Sequence, residues 1–214
     1  MSILSDYLYF KYGETEINHL RKEDKKLGAV IDRVGIIKRP VNPDVFSSLI
    51  ESIVSQQISS KSADTVCLKL NNLCGMVAER LAALAIEEIQ SCGMSMRKAG
   101  YVKGVADAAV SNAIDFESLS GMSDSDVIKT LTALKGIGVW TAEMLLIFSL
   151  MRPNVISYGD LAIRRSMMRL YDLNELPKDR FERYARRYSP YGSVASLYLW
   201  HISVPAIEEK RKRI

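Results

Sequence analysis

Apolar residues recur every three to four positions along most of the chain, which is the spacing of helices with one buried face. In residues 43–55, Pro43 occupies the opening turn and the apolar positions form one stripe. Similar stretches cover 14–27, 79–89, 96–114, 180–188 and 192–202. No stretch alternates convincingly as a strand would. The pattern therefore predicts an all-α protein of about ten helices.

The most distinctive stretch spans residues 131–165, in which Gly136 and Gly138 enclose Ile137 between two helical patterns. Glycine permits positive φ and lets a phosphate approach the backbone closely. Because the second helix begins near Val139, its free N–H groups should point at the turn, as in an anion site. The same residues also fit a glycine helix end followed by a tight turn between helices.

Length and charge allow a nucleic-acid partner without requiring one. The chain has 214 residues, enough for one or two domains, and a net charge of +4. Residues 161–187 hold eight lysines and arginines against four acids, so the basic excess directly follows the glycine turn. These side chains would add salt-dependent phosphate contacts, or they form ordinary solvated helix faces.

The three cysteines, Cys67, Cys74 and Cys92, are odd in number and fit no zinc or iron–sulfur spacing. They indicate reduced thiols in a cytosolic protein. We recognise no signal peptide, and the longest apolar run, residues 144–151, is far shorter than the roughly 20 residues of a membrane helix.

Four segments, in order, resemble the helix-hairpin-helix DNA glycosylase superfamily. They are LIESIVSQQISSK (49–61), CGMSMRKAGYVKG (92–104), LKGIGVWTA (134–142) and residues 188–200. An acidic residue follows the hairpin in that family, and here Asp160 follows Gly138 by 22 positions. The resemblance implies a two-lobed all-α glycosylase fold with a catalytic aspartate at the cleft between lobes. The approximate lobes are 43–135, and 1–42 with 136–214.

Trp140 indicates which branch of the family this is. Members that also cleave the DNA strand carry a Schiff-base lysine two residues after the second glycine, where this chain has Trp140. The resemblance is therefore to the alkylation-repair branch, similar to 3-methyladenine DNA glycosylase II, and implies a monofunctional enzyme without lyase activity. Met144 departs from the tyrosine of that branch, which bears on substrate preference.

Asp160 is the predicted catalytic residue. Cleavage of an N-glycosidic bond develops positive charge on the deoxyribose, and a fixed carboxylate stabilises that charge or directs a water to the anomeric carbon. An alkylated purine is already cationic, so no strong general acid is needed. Asp160 also fits a plain N-cap for a helix starting at Leu161.

Aromatic residues are the candidates for the slot that holds a flipped base. The predicted base pocket contains Trp140, Trp200, Tyr191, Phe46 and Met144. Indole rings would stack favourably on a cationic base. Trp200 fits core packing of the last helix equally well.

A DNA wedge and a phosphate site complete the predicted interface. Gln56, Gln57 and Ile58 form the candidate wedge that fills the space left by the flipped base, although they also fit a polar interhelical loop. The hairpin residues predicted to meet the phosphate are Gly136, Ile137, Gly138 and Thr141. The resemblance also allows Na⁺ or K⁺ on the backbone carbonyls of Thr132, Leu134 and Ile137.

These observations predict a DNA glycosylase that excises 3-methyladenine and 7-methylguanine from duplex DNA in base excision repair. We expect a monomer without a required cofactor, an iron–sulfur cluster or a membrane association. It would work in the cytoplasm of a bacterium or archaeon, near the nucleoid, or in a eukaryotic nucleus. Two alternatives stay open: a helix-hairpin-helix DNA-binding module without catalysis, and a glycosylase for other damaged bases.

Overall fold

A computed structural model of the protein describes residues 8–203, and within that range the fold is entirely helical apart from one isolated bridge between Tyr9 and Pro40. The predicted all-α class is confirmed. The helices are α1 Glu14–Glu23, α2 Lys25–Val34, α3 Val45–Ser55, α4 Ser60–Cys74, α5 Ala78–Ala83, α6 Ile86–Ser91, α7 Met96–Val110, α8 Asp124–Thr132, α9 Val139–Phe148, α10 Leu161–Tyr171, α11 Lys178–Tyr188 and α12 Gly192–Ser203. Ser118–Gly121 forms a 3-10 turn. None of the helices in 8–203 is long and apolar enough to cross a membrane.

The helices divide into two compact units. Unit 1 contains Met1–Val41 and Met151–Ile214, and unit 2 contains Asn42–Leu150. The second boundary thus falls after Leu150 rather than after residue 135, where the sequence placed it. The reason is that α9 packs on α8 and α3, so the helix after the hairpin stays with the helix before it.

Unit 2 is organised around α3. Leu49, Ile50, Ile53 and Val54 are completely buried, and α3 packs against α4, α7 and α9. Burying each such side chain is worth about 1.5–3 kcal/mol, so this apolar face fixes the positions of the segments at both ends of α3. The loop 56–59, which contains the predicted wedge, directly follows the helix.

Unit 1 is held together by a polar network around the buried Asp24. Its carboxylate caps α2 by accepting from the N–H groups of Lys26 and Leu27, and its other oxygen accepts from the Tyr171 hydroxyl at 2.6 Å. The hydroxyls of Tyr171 and Tyr188 are hydrogen-bonded to each other. The network joins α2, α10 and α11, and burial raises the pKa of both tyrosines.

Two predicted helices are in fact two helices each. The stretch 14–27 is broken at Asp24, which ends α1 and caps α2. The stretch 79–89 is broken at Leu84 and Ala85, where extended backbone separates α5 from α6. Apolar spacing continues across both breaks, so the periodicity alone gave no boundary.

Candidate active site

Asp160 is the N-cap of α10, as the simpler interpretation of this residue predicted. Its Oδ1 atom accepts from the backbone N–H of Ile163 at 2.9 Å. The residue is only 6% exposed. A cap occupies one carboxylate oxygen, so the role of this residue depends on what surrounds the other one.

The second oxygen, Oδ2, accepts from the indole N–H of Trp200 at 3.0 Å. Trp200 lies near the end of α12, which packs along α10 within unit 1. The side chain predicted to line the base pocket therefore contacts the predicted catalytic carboxylate directly. The indole N–H of Trp200 restrains the orientation of the Asp160 carboxylate. Trp200 is itself partly buried because α12 packs along α10.

Helix α12 also holds the loop that leads to Asp160. The Ser193 hydroxyl accepts from the N–H of Val155 at 3.0 Å, and the Ser196 hydroxyl donates to the Val155 carbonyl at 3.2 Å. Both serines are fully buried. One helix thus positions the loop at its beginning and the carboxylate at its end.

An aromatic and cationic pair is formed by residues that lie close to Asp160 in the sequence. The Arg164 guanidinium lies 4.9 Å from the ring centroid of Tyr158, which in turn meets Phe181 edge to face. The Arg164 N–H donates to the Asp160 carbonyl at 3.1 Å, one turn into α10. Positive charge therefore lies on the same helical turn as Asp160, which favours the approach of an anion such as a DNA phosphate.

Tyr191 does not join this cluster, although the sequence placed it in the base pocket. It precedes α12, and a helical rise of 1.5 Å per residue separates it from Trp200 by about 13 Å. Its ring instead meets His19 edge to face, with centroids 5.2 Å apart. Tyr191 therefore helps to pack α12 on α1.

Phe46, also predicted for the base pocket, packs within unit 2. Its ring packs edge to face on Phe116, with centroids 5.7 Å apart. Both rings line a cavity of about 700 Å³ in unit 2 whose other lining residues include Asp44, Glu79 and Asp115. None of the other predicted pocket residues lines this cavity, so Phe46 stabilises α3 at its first turn.

The hairpin between α8 and α9 gives its two glycines different roles. Gly136 has φ +89°, and a Cβ atom there would lie 2.8 Å from two ring atoms of Tyr101. Gly138 has φ −98° and is exposed, with open space where a Cβ would point. Only Gly136 needs glycine for its own backbone, whereas Gly138 leaves room for something outside the protein.

The remaining hairpin residues that were predicted to meet the phosphate bury their side chains and could contact it only through main-chain groups. Ile137 is 7% exposed and Thr141 is 7% exposed, so both side chains point inward. No side chain caps the N-terminus of α9. The surface available to a phosphate therefore consists of main-chain N–H groups at Gly138 and Val139, beside the half-exposed Trp140.

The candidate wedge loop is tied to the hairpin. The Gln56 side chain donates through Nε2 to the Gly136 carbonyl at 3.0 Å. Gln57 adopts φ +59°, a conformation that is uncommon for residues other than glycine. Ile58 is 41% exposed. Since the Gln56 amide is already bonded to the hairpin, Gln57 and Ile58 are the loop residues that remain candidates for the wedge.

The basic residues of α10 and α11 are mostly exposed, and some are paired within the protein. Arg183 lies 3.5 Å from Asp179, and Arg187 lies 3.4 Å from Asp24. Arg165, Arg169 and Arg186 are exposed on the same two helices. These residues thus form solvated basic helix faces, which is one of the two alternatives that the sequence left open.

Comparisons with known proteins place the chain among DNA repair proteins. Residues 50–190 match the HhH-GPD superfamily of base excision DNA repair proteins. DNA-3-methyladenine glycosylase 1 of Schizosaccharomyces pombe is 30% identical over 196 residues, covering 89% of this chain and 86% of the relative. A crystal structure of a DNA-3-methyladenine glycosidase from Bacillus halodurans is 35% identical with a TM-score of 0.83, covering 94% of this chain and 95% of that one. The S. pombe 3-methyladenine glycosylase Mag1, solved with abasic DNA, is 31% identical with a TM-score of 0.74 and covers 87% and 95%.

Proposed function

This chain belongs to the HhH-GPD superfamily of base excision DNA repair proteins, and we propose that it is a monofunctional DNA glycosylase for alkylated purines. Its simplest substrates would be 3-methyladenine and 7-methylguanine in duplex DNA, on which it acts as a monomer. The relatives named above are 3-methyladenine glycosylases, which supports this substrate class.

One observation carries the proposal: each oxygen of the buried Asp160 carboxylate accepts from a fixed N–H donor, Ile163 on one side and Trp200 on the other. A carboxylate held in this way does not need to reorient as positive charge develops nearby. Preorganised charge of this kind is the largest single contribution to catalysis in many enzymes.

The reaction follows from that arrangement. Methylation at N3 or N7 leaves the purine cationic, so the bond from the purine N9 to C1′ breaks with its electron pair moving to the base. The base departs neutral, and the sugar carries the positive charge that Asp160 stabilises. Water adds its oxygen to C1′ and releases one proton to solvent, which leaves an abasic site.

The DNA-binding part is assigned to the α8–α9 hairpin. The uncapped N–H groups at the start of α9 would bind a backbone phosphate. Helix α8 ends at Thr132, and the family resemblance makes the backbone carbonyls at and after this end the candidate ligands of a hard monovalent cation. The Leu134 carbonyl also accepts from the Ile137 N–H at 3.2 Å, which leaves it one lone pair. Thr132, Leu134 and Ile137 would hold Na⁺ or K⁺, which would neutralise part of the phosphate charge.

The absence of lyase activity is proposed from Trp140. A lyase needs an amine that attacks C1′ and forms a Schiff base, and the position where the family carries that lysine holds Trp140 here. Lys135 precedes the hairpin and is exposed, and its position supports no such role. Trp140 is 48% exposed, which leaves its ring accessible to a cationic base.

The test is base release from methylated duplex DNA, measured by chromatography of the freed purines. We expect free 3-methyladenine and 7-methylguanine, and strand breaks only after alkali treatment. DNA binding without base release would instead indicate a binding module. Release of oxidised or deaminated bases alone would assign a different substrate class, and strand breaks without alkali would contradict the monofunctional proposal.

A further inference from the structure

Lys98 is the second basic residue of the Arg-Lys pair that opens α7. Its backbone N–H donates to the hydroxyl of Ser95, the N-cap of the same helix, at 3.3 Å. A positive side chain in the first turn of a helix is unfavourable, because the helix N-terminus is itself positive. The lysine is therefore not explained by the stability of α7.

The Lys98 ammonium instead reaches the end of α3. Nζ donates to the Val54 carbonyl at 2.7 Å and also to the Gln56 carbonyl. These belong to the last turn and the C-cap of α3, where carbonyls lack helical partners and the helix end is negative. Partial burial of the amine lowers its pKa, with the neighbouring Arg97 adding to the effect.

The same face of α7 also contacts the hairpin. Tyr101 lies one turn after Lys98, and its ring lies directly against Gly136. The Gly136 carbonyl in turn accepts from Gln56. Lys98 thus binds the backbone of the loop 56–58, and the hairpin binds the Gln56 side chain. Lys98 and Tyr101, which contacts the hairpin, lie on the same turn of α7.

We propose that Lys98 is a positioning residue that holds the loop 56–58 in the conformation that enters duplex DNA. This inference rests on the proposed function, because a wedge is needed only by an enzyme that flips bases. Anchoring Gln56 at both ends keeps Gln57 in its left-handed conformation and leaves Ile58 exposed beyond it. Without Lys98 the loop would have to be ordered each time a base is flipped.

The test compares a paired lesion with an unpaired one. An oligonucleotide contains 7-methylguanine opposite either cytosine or a tetrahydrofuran abasic analogue, and base release is measured under single-turnover conditions. Flipping is easier for a base without a partner, so a wedge defect should be concentrated on the paired substrate. A general loss of folding or of carboxylate geometry would slow both substrates equally.

For Lys98→Met we expect the rate on the paired lesion to fall about 10- to 100-fold, the range for a displaced positioning group. The rate on the unpaired lesion should fall several-fold less. Lys98→Arg, which keeps the charge and donors, should recover most of the paired rate. An equal loss on both substrates, or no loss on either, would overturn the inference.

Lys103→Met is the matched control. Lys103 lies on the same helix and donates to the Ala82 carbonyl near the end of α5, so it makes the same kind of contact away from the loop. This variant should keep the wild-type ratio of paired to unpaired rates. If Lys103→Met changes the ratio as Lys98→Met does, the effect belongs to α7 stability and the inference is wrong.

A second variant keeps the inference testable if Lys98→Met does not fold. Gln56→Met removes the Nε2 donor to Gly136 and should produce the same preferential loss on the paired lesion. An equal loss on both substrates would contradict the proposed anchoring. If the wild-type protein releases no base from either substrate, the proposed function itself fails and the inference falls with it.

Discussion

Two helix N-termini in this protein are built in opposite ways. Helix α9 begins after Gly138 with no capping side chain and an exposed first turn. Helix α10 begins after Asp160, whose buried carboxylate caps the helix itself. Both ends carry the same partial positive charge and backbone N–H groups that have no partner within the helix. The two ends differ in their capping group: the protein supplies a carboxylate at α10, whereas no side chain caps α9.

The difference shows how one structural feature serves two purposes. At α9 no side chain caps the helix, and its main-chain donors are the proposed site of an external phosphate. At α10 the cap is internal, and the helix end together with Trp200 restrains the carboxylate that we propose is catalytic. The hairpin is therefore expected to be sensitive to added side chains, and the aspartate to loss of its donors.

The largest effect on DNA binding is expected from Gly138→Asp. Aspartate is a better N-cap than glycine, so the protein should remain folded, while the new carboxylate occupies the phosphate position. We expect duplex affinity to fall at least about 100-fold, since opposed like charges cost several kcal/mol. Gly138→Asn, which caps without charge, should lose much less in a fluorescence-anisotropy titration. Equal losses for both variants would mean that size rather than charge matters at this site.

Gly136→Ala should act on stability instead. A residue at φ +89° with a Cβ against the Tyr101 ring should lose about 2–3 kcal/mol of unfolding free energy. Gly138→Ala, with φ −98° and open space around the Cβ, should lose less than about 1 kcal/mol. Urea denaturation of the pair measures both values. Similar losses at the two positions would contradict the separate roles of the two glycines.

Trp200→Phe removes one donor from Asp160 and keeps an aromatic ring on α12. We expect the single-turnover rate to fall about 10- to 100-fold, because a hydrogen bond to a charged group is worth about 1.5–3 kcal/mol. Substrate affinity should change little. Trp140→Phe keeps a ring at an exposed position and should slow the single-turnover step less. An unchanged rate for Trp200→Phe would show that the indole hydrogen bond to Asp160 does not contribute to catalysis.

The smallest effect is expected from alkaline pH on unit 1. Burial holds the pKa of Tyr171 and Tyr188 above the ordinary value of 10.0. The unfolded chain therefore releases these protons first, so stability is intact below pH 10 and falls as pH rises further. Each tyrosine contributes up to about 1.4 kcal/mol per pH unit. Tyr171→Phe should show a shallower decline of unfolding free energy above pH 10, and an unchanged slope would contradict this assignment.

Much of the fold could be predicted because it depends on local signals. The apolar face of residues 45–55, the glycine after Cys74 and the turn at 136–138 all coincide with observed helix ends. Asp24 was missed as a helix boundary because its role depends on Tyr171, 147 positions away. The carboxylate of a single aspartate in a helical pattern carries no sign of such a partner.

The site was predictable only in part, for the same reason. Motif spacing singled out Asp160 and the hairpin as candidates, but the bond between Asp160 and Trp200 depends on how α10 packs on α12. Tyr191 and Phe46 were predicted for the base pocket because aromatic residues suit that role, and each packs edge to face against another ring of its own unit. Residue type alone could not separate rings that face a ligand from rings that support a helix.

The catalytic role proposed for Asp160 is tested most directly by comparing base release by Asp160→Asn with that by the wild type. Asparagine can still cap α10 through Oδ1, so folding and duplex affinity should be kept. The negative charge is lost, and the Nδ2 group would face the Trp200 N–H as a second donor. We predict that release of 3-methyladenine from methylated duplex DNA falls about 100- to 1,000-fold at unchanged affinity. A variant that releases the base at the wild-type rate would contradict the assignment of Asp160 as the catalytic residue.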